Sequence, residues 1–566
     1  MSEDRRLDRL SSMLRRRGIV LPAFEIYGGV SGLIDYGPVG ASIRRRVVEI
    51  WIDHWLSQGD IVEIDSPTIT PEEVLVASGH VGEFNDLMTE CKSCNSAFRA
   101  DHIVGDDSET MDKKEIDKIL ANGVICPSCS KSEWTPSSPM NLMFSTRLGA
   151  MSSGRTAYMR PETAQGMFML FPSLYRHFRQ KLPFGAIQTG KGYRNEISPR
   201  QGMVRLREFN MAELEYFIDP QNPPMYSGGS EVVTLIPDPQ SEYSGEKKIS
   251  FAEALDKNII RHPTVAWFLS RTWDFLIKVG INSDKIRFRQ HANNEMAHYA
   301  SDCWDCEIYG EYGWIECVGI ANRTCHDLES HEKSSKTSTL RAWRNFEEPK
   351  VEEKEKLFPN GSVIGPMLRA DAREVASIIE EMEELPEKIP FDLKLSDGRT
   401  ITITADMVER RLETITVNGE WFTPHVIEPA FGIDRIIWHI LDHAYEESQK
   451  EGEPYTYLRL AKGVSNVDCI VLPLFDKDGM GDLAKNYAQQ INSIPNIRSE
   501  IDFSKSIGRR YARADEIGIP WAITVDHTSI EDGSVTIRRR DDQVQIRAEI
   551  GDLIGHLRNK TMDSLF

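Results

Sequence analysis

The stretch "YRNEISPRQGMVRLREF", residues 193–209, decides the fold of this chain. It gathers four arginines and two glutamates around one Gly and one Pro, and its short β-like runs predict two strands joined by a loop. Arg194 and Glu196 fall on the first predicted strand, and the second carries Arg205, Arg207 and Phe209. Residues two apart share one face of a strand, so the side chains named on each strand are predicted to lie on the same face of the sheet. This fixed positive charge would suit a multiply charged anion, but the charge pattern alone favours the structural alternative, a sheet with cross-strand Arg–Glu pairs.

The length and charge of the chain narrow the possible functions. Its 566 residues suggest three or four domains. The formal charge of −20 excludes a general polyanion binder, so any nucleic acid must be held by local patches. The N-terminal "MSEDRRLDRLSSMLRRRG" lacks an apolar core, and no run of eighteen apolar residues occurs. We therefore expect a cytoplasmic protein whose nine cysteines are thiols or metal ligands.

Periodicity outlines two regions on either side of a turn-rich linker, "KEGEPYTY". The first begins with helices at 4–17 and 39–58, and short β-like runs over 157–217 predict an antiparallel sheet. Residues 219–248 are dense in Pro, Gly and Ser and are predicted to be irregular. The second region, 464–558, alternates apolar strands with helical segments, which predicts a small α/β domain. Its predicted helices cover 480–493, 506–517 and 545–558.

Four cysteines form two CxxC pairs: Cys91, Cys94, Cys126 and Cys129. Thirty-one residues separate the pairs, and the insert between them is polar and helix-prone. Each short loop can present two thiolates to one ion, so the spacing predicts a closed, tetrahedral zinc site with a structural role. An oxidised remnant or unpaired surface thiols are the alternatives.

Three separated motifs resemble those of class II aminoacyl-tRNA synthetases. "YRNE", a Pro-bearing loop and "VRLREF" resemble motif 2, "YGPVG" with the following Trp51 helix resembles the dimer-forming motif 1, and "GIDR" (432–435) resembles motif 3. Longer stretches, among them "RPETAQG", "REFNMAELEYF", "GWIECVGIANR" and "EPAFGIDR", are similar to the dimeric glycyl-tRNA synthetases of archaea and eukaryotes. The resemblance extends from residue 13 to residue 555, with insertions between the motifs.

The resemblance implies an α+β fold with two domains. Residues 1–455 would form the class II catalytic domain, an antiparallel β-sheet flanked by helices, and residues 464–566 an α/β anticodon-binding domain. The catalytic domain would carry insertions near 88–140 (zinc-binding), 219–260 and 328–425. The expected partners are tRNA(Gly), glycine, ATP and a second copy of the chain, without a membrane.

The resemblance also implies roles for the charged residues. Arg194 would stabilise the α-phosphate of ATP, Glu196 would read the adenine amine, and Arg435 would cover the adenine face opposite Phe209; Arg194, Glu196 and Arg435 are thus the expected catalytic residues. Glu316 would lie near the phosphates and help to bind Mg²⁺. The expected ATP-binding residues are Arg194, Asn195, Glu196, Val204, Arg205, Leu206, Arg207, Glu208, Phe209, Glu316, Cys317, Gly432, Ile433, Asp434 and Arg435.

A glycine pocket needs carboxylates for the ammonium and no spare volume. The resemblance implies that it is built from Arg99, Glu162, Phe209, Asn210, Met211, Ala212, Glu213, Glu428, Pro429, Ala430, Phe431 and Gly432. Ala430 departs from the family pattern, in which many members read Ser in "EPSFG", and one hydrogen bond to glycine is thereby in doubt. Added bulk is rejected sterically, so no editing domain is expected.

Two other functions fit parts of the sequence. The first is a class II synthetase for Ala, Ser or Thr, which the Ala430 departure allows. The second is a catalytically silent paralogue that binds RNA or a protein, although the motif arginines are all present: Arg194, Arg205, Arg207 and Arg435. Amino-acid-dependent exchange between pyrophosphate and ATP separates the three.

Overall fold

The computed structural model describes residues 5–105, 111–150, 154–197, 199, 202–226, 228–292, 301–382, 385–450 and 452–566. These form two compact units, one of Met1–Leu340 with Pro424–Phe566 and the other of Arg341–Thr423. Among the helices of the described residues, none combines the length and apolar character that crossing a bilayer requires.

A nine-stranded sheet forms the centre of the first unit. Its strands follow the spatial order Lys247–Ser250, Val232–Ile236, Ile286–Gln290, Asp302–Gly310, Gly313–Thr324, His425–Gly432, Glu208–Ile218, Phe184–Tyr193 and Ile61–Glu63. Neighbouring strands are antiparallel except in two pairs, the one at the Ile61–Glu63 edge and the one between Val232–Ile236 and Ile286–Gln290. The antiparallel core predicted from the sequence is confirmed.

Helices cover one face of this sheet. Helix Pro38–Leu56 begins with Pro at its first turn, where the missing N–H costs no hydrogen bond. Its fully buried Trp51 and Trp55 pack edge-on against Phe431 of the sheet, with ring centroids 5.6 and 6.1 Å apart. Phe275 of helix Pro263–Lys278 reaches the same ring at 5.7 Å. Alternation along the strand places Phe431 on the face opposite Ala430. Helix Ala164–His177 covers part of the Ala430 face, where its Phe171 lies 5.0 Å from the ring of Phe217.

Two sequence predictions about this sheet are wrong. Residues 219–248 are not irregular throughout, because Val232–Ile236 joins the sheet by parallel pairing with Ile286–Gln290, and the strand beginning at Lys247 pairs antiparallel with Val232–Ile236. The two strands of the arginine-rich stretch are also shorter than predicted, since they end at Tyr193 and restart at Glu208. Arg194, Glu196, Arg205 and Arg207 therefore lie in the connection, which contains a short 3₁₀ helix, Gly202–Val204.

Smaller elements surround the sheet in this unit. Three-stranded sheets are formed by Ile69–Pro71, Arg155–Met159 and Ser145–Leu148, and by Ala97–Arg99, Asn85–Glu90 and Ser138–Asn141. Two-stranded pairs are Val20–Pro22 with Ile34–Tyr36 and Tyr445–Lys450 with Glu453–Leu458. The remaining helices of this part are Arg6–Arg16, Glu72–Ala77, His80–Glu83, Ala100–Val104, Lys113–Ala121, Ala164–His177, Phe251–Asp256, His326–Ser335 and Ile433–Ala444.

The C-terminal region forms a five-stranded mixed sheet in the order Ser499–Ile501, Cys469–Pro473, Trp521–Val525, Ser534–Arg539 and Gln545–Glu549. Its helices are Met480–Asn492, Ile507–Glu516, His527–Asp532 and Ile550–Asn559. The predicted α/β alternation is confirmed, but the predicted helix at 545–558 starts five residues late because Gln545–Glu549 pairs with the preceding strand. Trp521 is buried in the core of this sheet.

Two arginines of this region make buried contacts within its fold. Arg510 is buried and donates to the carbonyl oxygens of Pro473 and Leu474. Arg538 makes a buried bidentate pair with Asp515, at 2.9 and 2.8 Å. Their burial assigns these two arginines to the scaffold.

The unit Arg341–Thr423 contains a long antiparallel ribbon of Ala342–Pro359 with Val408–Phe422. A second hairpin joins Phe391–Lys394 to Thr400–Ile403, and two helices span Gly361–Leu368 and Ala372–Glu380. Leu357, Ile364 and Val375 contribute to a small core of its own. This part of the chain therefore has a hydrophobic core of its own.

Candidate active site

A cavity of about 240 Å³ lies at the nine-stranded sheet, on the face that carries Ala430. Its lining includes eighteen of the predicted site residues: Glu162, Arg194, Glu196, Val204, Arg205, Leu206, Phe209, Asn210, Met211, Glu213, Glu316, Cys317, Glu428, Ala430, Phe431, Gly432, Asp434 and Arg435. Segments hundreds of residues apart in the chain thus meet at one concave surface. Met203 and Gly319 also line the cavity and were missed by the sequence analysis.

Small residues form the floor of the cavity. Register places Glu213, Ala430 and Gly319 side by side on three neighbouring strands. A methyl group added to Gly319 would meet no atom within 4 Å and would project into open space. A glycine inside a strand marks a place where a ligand approaches the backbone closely, and this signal was present in the quoted "GWIECVGIANR". The floor therefore leaves room beside the Glu213 carboxyl for a small ligand that approaches the strand backbone closely.

Glu213 is the most buried carboxyl in the cavity wall, with 1% of its surface exposed. The backbone N–H of Thr163 donates to it at 2.6 Å, and the Thr163 hydroxyl donates to the same oxygen. Burial, together with the charges of Glu162 and Glu428, raises the pKa of Glu213 to about 8. Glu213 is thus a carboxyl whose ionisation depends on pH near neutrality.

Glu162 lies in an environment that keeps it ionised. Its carboxylate lies 3.2 Å from His80 Nε2 and accepts a hydrogen bond from the Gln165 amide at 2.8 Å. Burial opposes ionisation of Glu162, but the positive charge of His80 outweighs it and holds the pKa of Glu162 below its usual range. In return, although burial disfavours the imidazolium, Glu162 raises the pKa of His80. The sequence analysis did not single out His80.

Glu428 is paired with a buried arginine. Arg323 donates to Glu428 at 2.7 Å and also makes two hydrogen bonds to Asp327, at 2.7 and 2.9 Å. Burial raises the pKa of Glu428 even though Arg323 opposes the shift. Three carboxyl groups, Glu162, Glu213 and Glu428, therefore converge on the cavity with only partial compensation by cations.

Arg194 supplies positive charge at the other end of the cavity. Its guanidinium carbon lies 5.2 Å from the ring centre of Phe84 and 5.5 Å from that of Phe209, so the cation lies against two aromatic rings. The buried Nε of Arg194 has no hydrogen-bond partner among the described residues. A guanidinium in a cavity wall is suited to anionic oxygens.

The other arginines of the connection are tied to Glu196 and its neighbours. Arg205 pairs with the Glu196 carboxylate at 2.9 Å. Arg207 donates to the carbonyl oxygens of Glu196 at 3.0 Å and of Ser31 at 2.7 Å, which fixes the path of the connection. Arg205 thus forms an Arg–Glu pair, but within the connection and not across two strands.

Helix Ile433–Ala444 brings two more predicted residues to the site. Arg435 donates to the carbonyl oxygens of Val204 at 3.1 Å and Glu316 at 2.7 Å, so it bridges the connection and the sheet. Asp434 accepts from the backbone and side chain of Asn210, at 2.6 and 2.7 Å, and from the Tyr36 hydroxyl. Asp434 and Asn210 therefore fasten this helix to the neighbouring strand.

Seven predicted site residues lie outside the cavity wall. Ala212, Pro429 and Ile433 are buried in the sheet and helix, Asn195 donates its backbone N–H to Leu142, and Glu208 pairs with Lys191 at 3.3 Å. Arg207 has the supporting contacts described above. Arg99 is engaged by Asp101 and Asp86, on the strand pair that leads to the cysteines.

The four predicted cysteines come together. Sγ of Cys91 lies 3.6 Å from that of Cys129, and Sγ of Cys94 lies 3.7 Å from that of Cys126. These separations are too long for disulfides and match four thiolates about 2.3 Å from a shared tetrahedral zinc. Between the pairs, helix Lys113–Ala121 starts with a capping box of Asp112 and Glu115. The donor set and its spacing fit the ion.

Comparison with known proteins agrees with this architecture. The family model described as "Anticodon binding domain" matches residues 468–560. A solved prolyl-tRNA synthetase of Giardia lamblia, in complex with prolyl-adenylate, shares the fold with a TM-score of 0.50 and 12% identity, over 99% of this chain and 81% of that one. An antiparallel sheet with an arginine-bearing connection, joined to such a C-terminal domain, defines the chain as a class II aminoacyl-tRNA synthetase.

Curated relatives narrow the class. The glycine–tRNA ligase of Methanocaldococcus jannaschii is 43% identical over 98% of both chains. Those of Methanothrix thermoacetophila and Archaeoglobus fulgidus are 42% and 41% identical, over 98% and 97% of this chain and 97% and 95% of theirs. The chain belongs to the glycine–tRNA ligase family.

Proposed function

We propose that this chain attaches glycine to tRNA(Gly) in two steps. Glycine's carboxylate attacks the α-phosphorus of ATP, which forms glycyl-adenylate and releases pyrophosphate. The terminal ribose hydroxyl of the tRNA then takes the glycyl group and releases AMP. The observation that carries the proposal is a cavity lined by Ala430 and Gly319, by the carboxyl groups of Glu162, Glu213 and Glu428, and by Arg194.

Each part of the substrate finds a matching group. The ammonium of glycine is assigned to Glu162 and Glu213, and the absence of side-chain volume is matched by the floor of Gly319 and Ala430. Neither step needs a protein nucleophile, so the protein accelerates the reaction by orienting the substrates and stabilising charge. Arg194 would neutralise the charge that develops at the α-phosphate, because Arg194 lines the cavity.

The nucleotide is assigned to the Arg194 end of the cavity. Phe209 would stack on adenine, Arg435 would cover the opposite face, and Glu196 would accept a hydrogen bond from the adenine amine. Glu316, half-exposed at the rim and 3.6 Å from Arg435, would contribute a carboxylate to Mg²⁺, which neutralises phosphate charge when bound. The four cysteines would hold a structural zinc that fixes the insertion between Asn85 and Asn141.

A dimer is the assembly we assign to this chain. Phe24, Ile26 and Tyr27, just ahead of helix Pro38–Leu56, expose 59%, 89% and 85% of their surface. Such adjacent exposed apolar side chains are typical of a protein–protein interface, and they flank the motif 1 resemblance. Light scattering should give twice the chain mass of 64.4 kDa. A monomer at micromolar concentration would contradict the assignment.

Exchange of labelled pyrophosphate into ATP, measured with each of the twenty amino acids, tests the function. Glycine alone should support exchange, and bulk tRNA should then be charged with glycine. Equal exchange with serine or alanine would overturn glycine specificity, and no exchange with any amino acid would favour a silent paralogue.

A further inference from the structure

One short segment outside the predicted site touches both ends of the cavity. Helix His80–Glu83 and the following Phe84 precede strand Asn85–Glu90, the first strand of the cysteine-bearing insertion. His80 contacts Glu162, and Phe84 contacts Arg194. The two rings of the segment lie 5.9 Å apart.

The segment is anchored to the rest of the site by its backbone. The Asn141 amide donates to the carbonyl oxygens of His80 and Val81, at 3.4 and 3.1 Å. Leu142 donates its N–H to the Phe84 carbonyl at 3.1 Å and accepts the N–H of Asn195 at 2.7 Å. The root of the insertion is therefore connected to the arginine-bearing loop through two successive hydrogen bonds.

The His80 side chain is held at both ring nitrogens. Nδ1 lies 2.8 Å from the Ser78 hydroxyl, and Nε2 lies 3.2 Å from the Glu162 carboxylate. Glu162 is also held by Gln165, whose amide oxygen lies 2.8 Å from Nε2 of the buried His331. The orientation of the Glu162 carboxylate is thus fixed from two sides by side chains that do not themselves line the cavity.

We propose that His80 and Phe84 are positioning residues of this active site: His80 orients Glu162 toward the ammonium of glycine and keeps it charged, and Phe84 holds the Arg194 guanidinium for the α-phosphate. The inference rests on the proposed function and deepens it. It makes the root of the cysteine-bearing insertion a part of the active site. The two residues act on different substrates, so their effects are separable.

The charges that face the pair fix the expected pH behaviour. His80 is faced by Glu162 and by the more distant cations Arg323 and Arg194. Glu162 is faced by His80 and Arg323 and is close enough to Glu213 and Glu428 to influence both. Without His80, burial and the neighbouring carboxyls favour protonation of Glu162, and a protonated Glu162 cannot pair with an ammonium. The defect of a His80 variant should therefore grow as the pH falls.

Glycine-dependent pyrophosphate exchange by the full-length chain tests His80. His80→Ala should raise the KM for glycine ~10- to 100-fold, the range for loss of a hydrogen bond to a charged group, and leave the KM for ATP within about twofold. The ratio of variant to wild-type KM for glycine should be larger at pH 6 than at pH 8.5. His80→Gln, which keeps an N–H donor without charge, should be intermediate and show the same trend. His177→Ala, at an exposed histidine, is the matched control.

Phe84 is tested in the same assay. Phe84→Leu should lower kcat ~3- to 30-fold, as expected for loss of a cation–π contact, with the KM for glycine within about twofold. Phe84→Tyr keeps the ring and should restore the rate. Thermal unfolding of each variant shows whether it is folded.

The outcomes distinguish this inference from the function on which it rests. Absence of glycine-dependent exchange in the wild type would overturn both. A normally active wild type with a pH-independent KM ratio for His80→Ala and His80→Gln would overturn the role of His80 alone. Equal kcat values for Phe84→Leu and Phe84→Tyr would overturn the role of Phe84 alone.

Discussion

The raised pKa of Glu213 predicts that glycine binding depends steeply on pH. The carboxyl is buried beside Glu162 and Glu428, and its pKa is raised to about 8, so it is protonated below that pH in the free protein. An ammonium is attracted by the ionised form only. Below pH 8, binding of glycine therefore includes the cost of removing one proton from Glu213, and above pH 8 this cost disappears.

The size of the effect follows from the pKa. One pH unit corresponds to about 1.4 kcal/mol for a single proton, so ionising Glu213 costs about 1.4 kcal/mol at pH 7 and about 2.7 kcal/mol at pH 6. The KM for glycine at saturating ATP should therefore be ~10-fold above its alkaline plateau at pH 7 and ~100-fold above it at pH 6. Glu213→Gln should raise the plateau and remove the slope.

Pyrophosphate exchange between pH 6 and 9 measures this profile. Glu215→Gln is the matched control, because Glu215 is on the same strand, is fully buried, and has its pKa raised well above the usual range, first by burial and then by Glu428. Glu215 is not among the described residues that line the cavity, so its replacement by the isosteric amide should leave the slope unchanged. A glycine KM that is flat from pH 6 to 8 in the wild type, or the same slope in Glu213→Gln, would refute the assignment.

Three further predictions concern the phosphate end, the cysteines and the C-terminal sheet. Arg194→Ala should slow glycine-dependent pyrophosphate exchange by ~10²- to 10³-fold, because it removes a group that stabilises charge in the transition state. Arg558→Ala, at an exposed arginine, is the control. A near-normal exchange rate in Arg194→Ala would contradict the role of Arg194. Metal analysis of the purified protein should find about one zinc ion per chain. The zinc should be lost in Cys126→Ser and kept in Cys325→Ser. Less than half an equivalent of zinc per chain, with all thiols reduced, would contradict the four-cysteine site. Arg538→Leu should lower the free energy of unfolding, measured by urea titration, by about 3–5 kcal/mol, because the Asp515 carboxylate stays buried without its arginine partner. Arg539→Leu removes an exposed pair with Asp542 and should lower the free energy of unfolding by under about 1 kcal/mol. Equal losses in the two variants would contradict this prediction.

The sequence predicts those helices and strands whose local residue pattern agrees with their packing in the folded chain. Pro38 at the start of an apolar helix, and the strand-like run that ends in "AELEYF", appear in the structure as the helix under the sheet and a central strand. The ends of the arginine-rich strands could not be predicted, because Arg207 donates to loop carbonyls of Ser31 and Glu196. Those partners lie far from Arg207 along the chain or within an irregular loop, where periodicity carries no signal.

The family motifs name most of the residues that line the cavity, but not the side chains that hold those residues in place. Gly319 could have been found from its position inside a strand-like run. His80 could not, because a lone histidine in "ASGHVGEF" shows no partner until the chain brings Glu162 to it from a different segment. Buried residues that hold a site residue in place are visible only in three dimensions.

The charge of the empty cavity explains how an acidic pocket can exist in a folded chain. Burying an uncompensated carboxylate costs several kcal/mol, so three of them cannot face one small cavity unless each is paired or protonated. Glu162 is paired with His80, and Arg323 reaches Glu428. Among the described residues, Thr163 supplies the hydrogen-bond donors at the Glu213 carboxyl, and protonation removes its charge near neutral pH. An ammonium that enters takes the place of this proton. The pocket is thus stable when empty and gains its full attraction for a cation only when the cation is present, which favours an amino group over a neutral ligand of the same size.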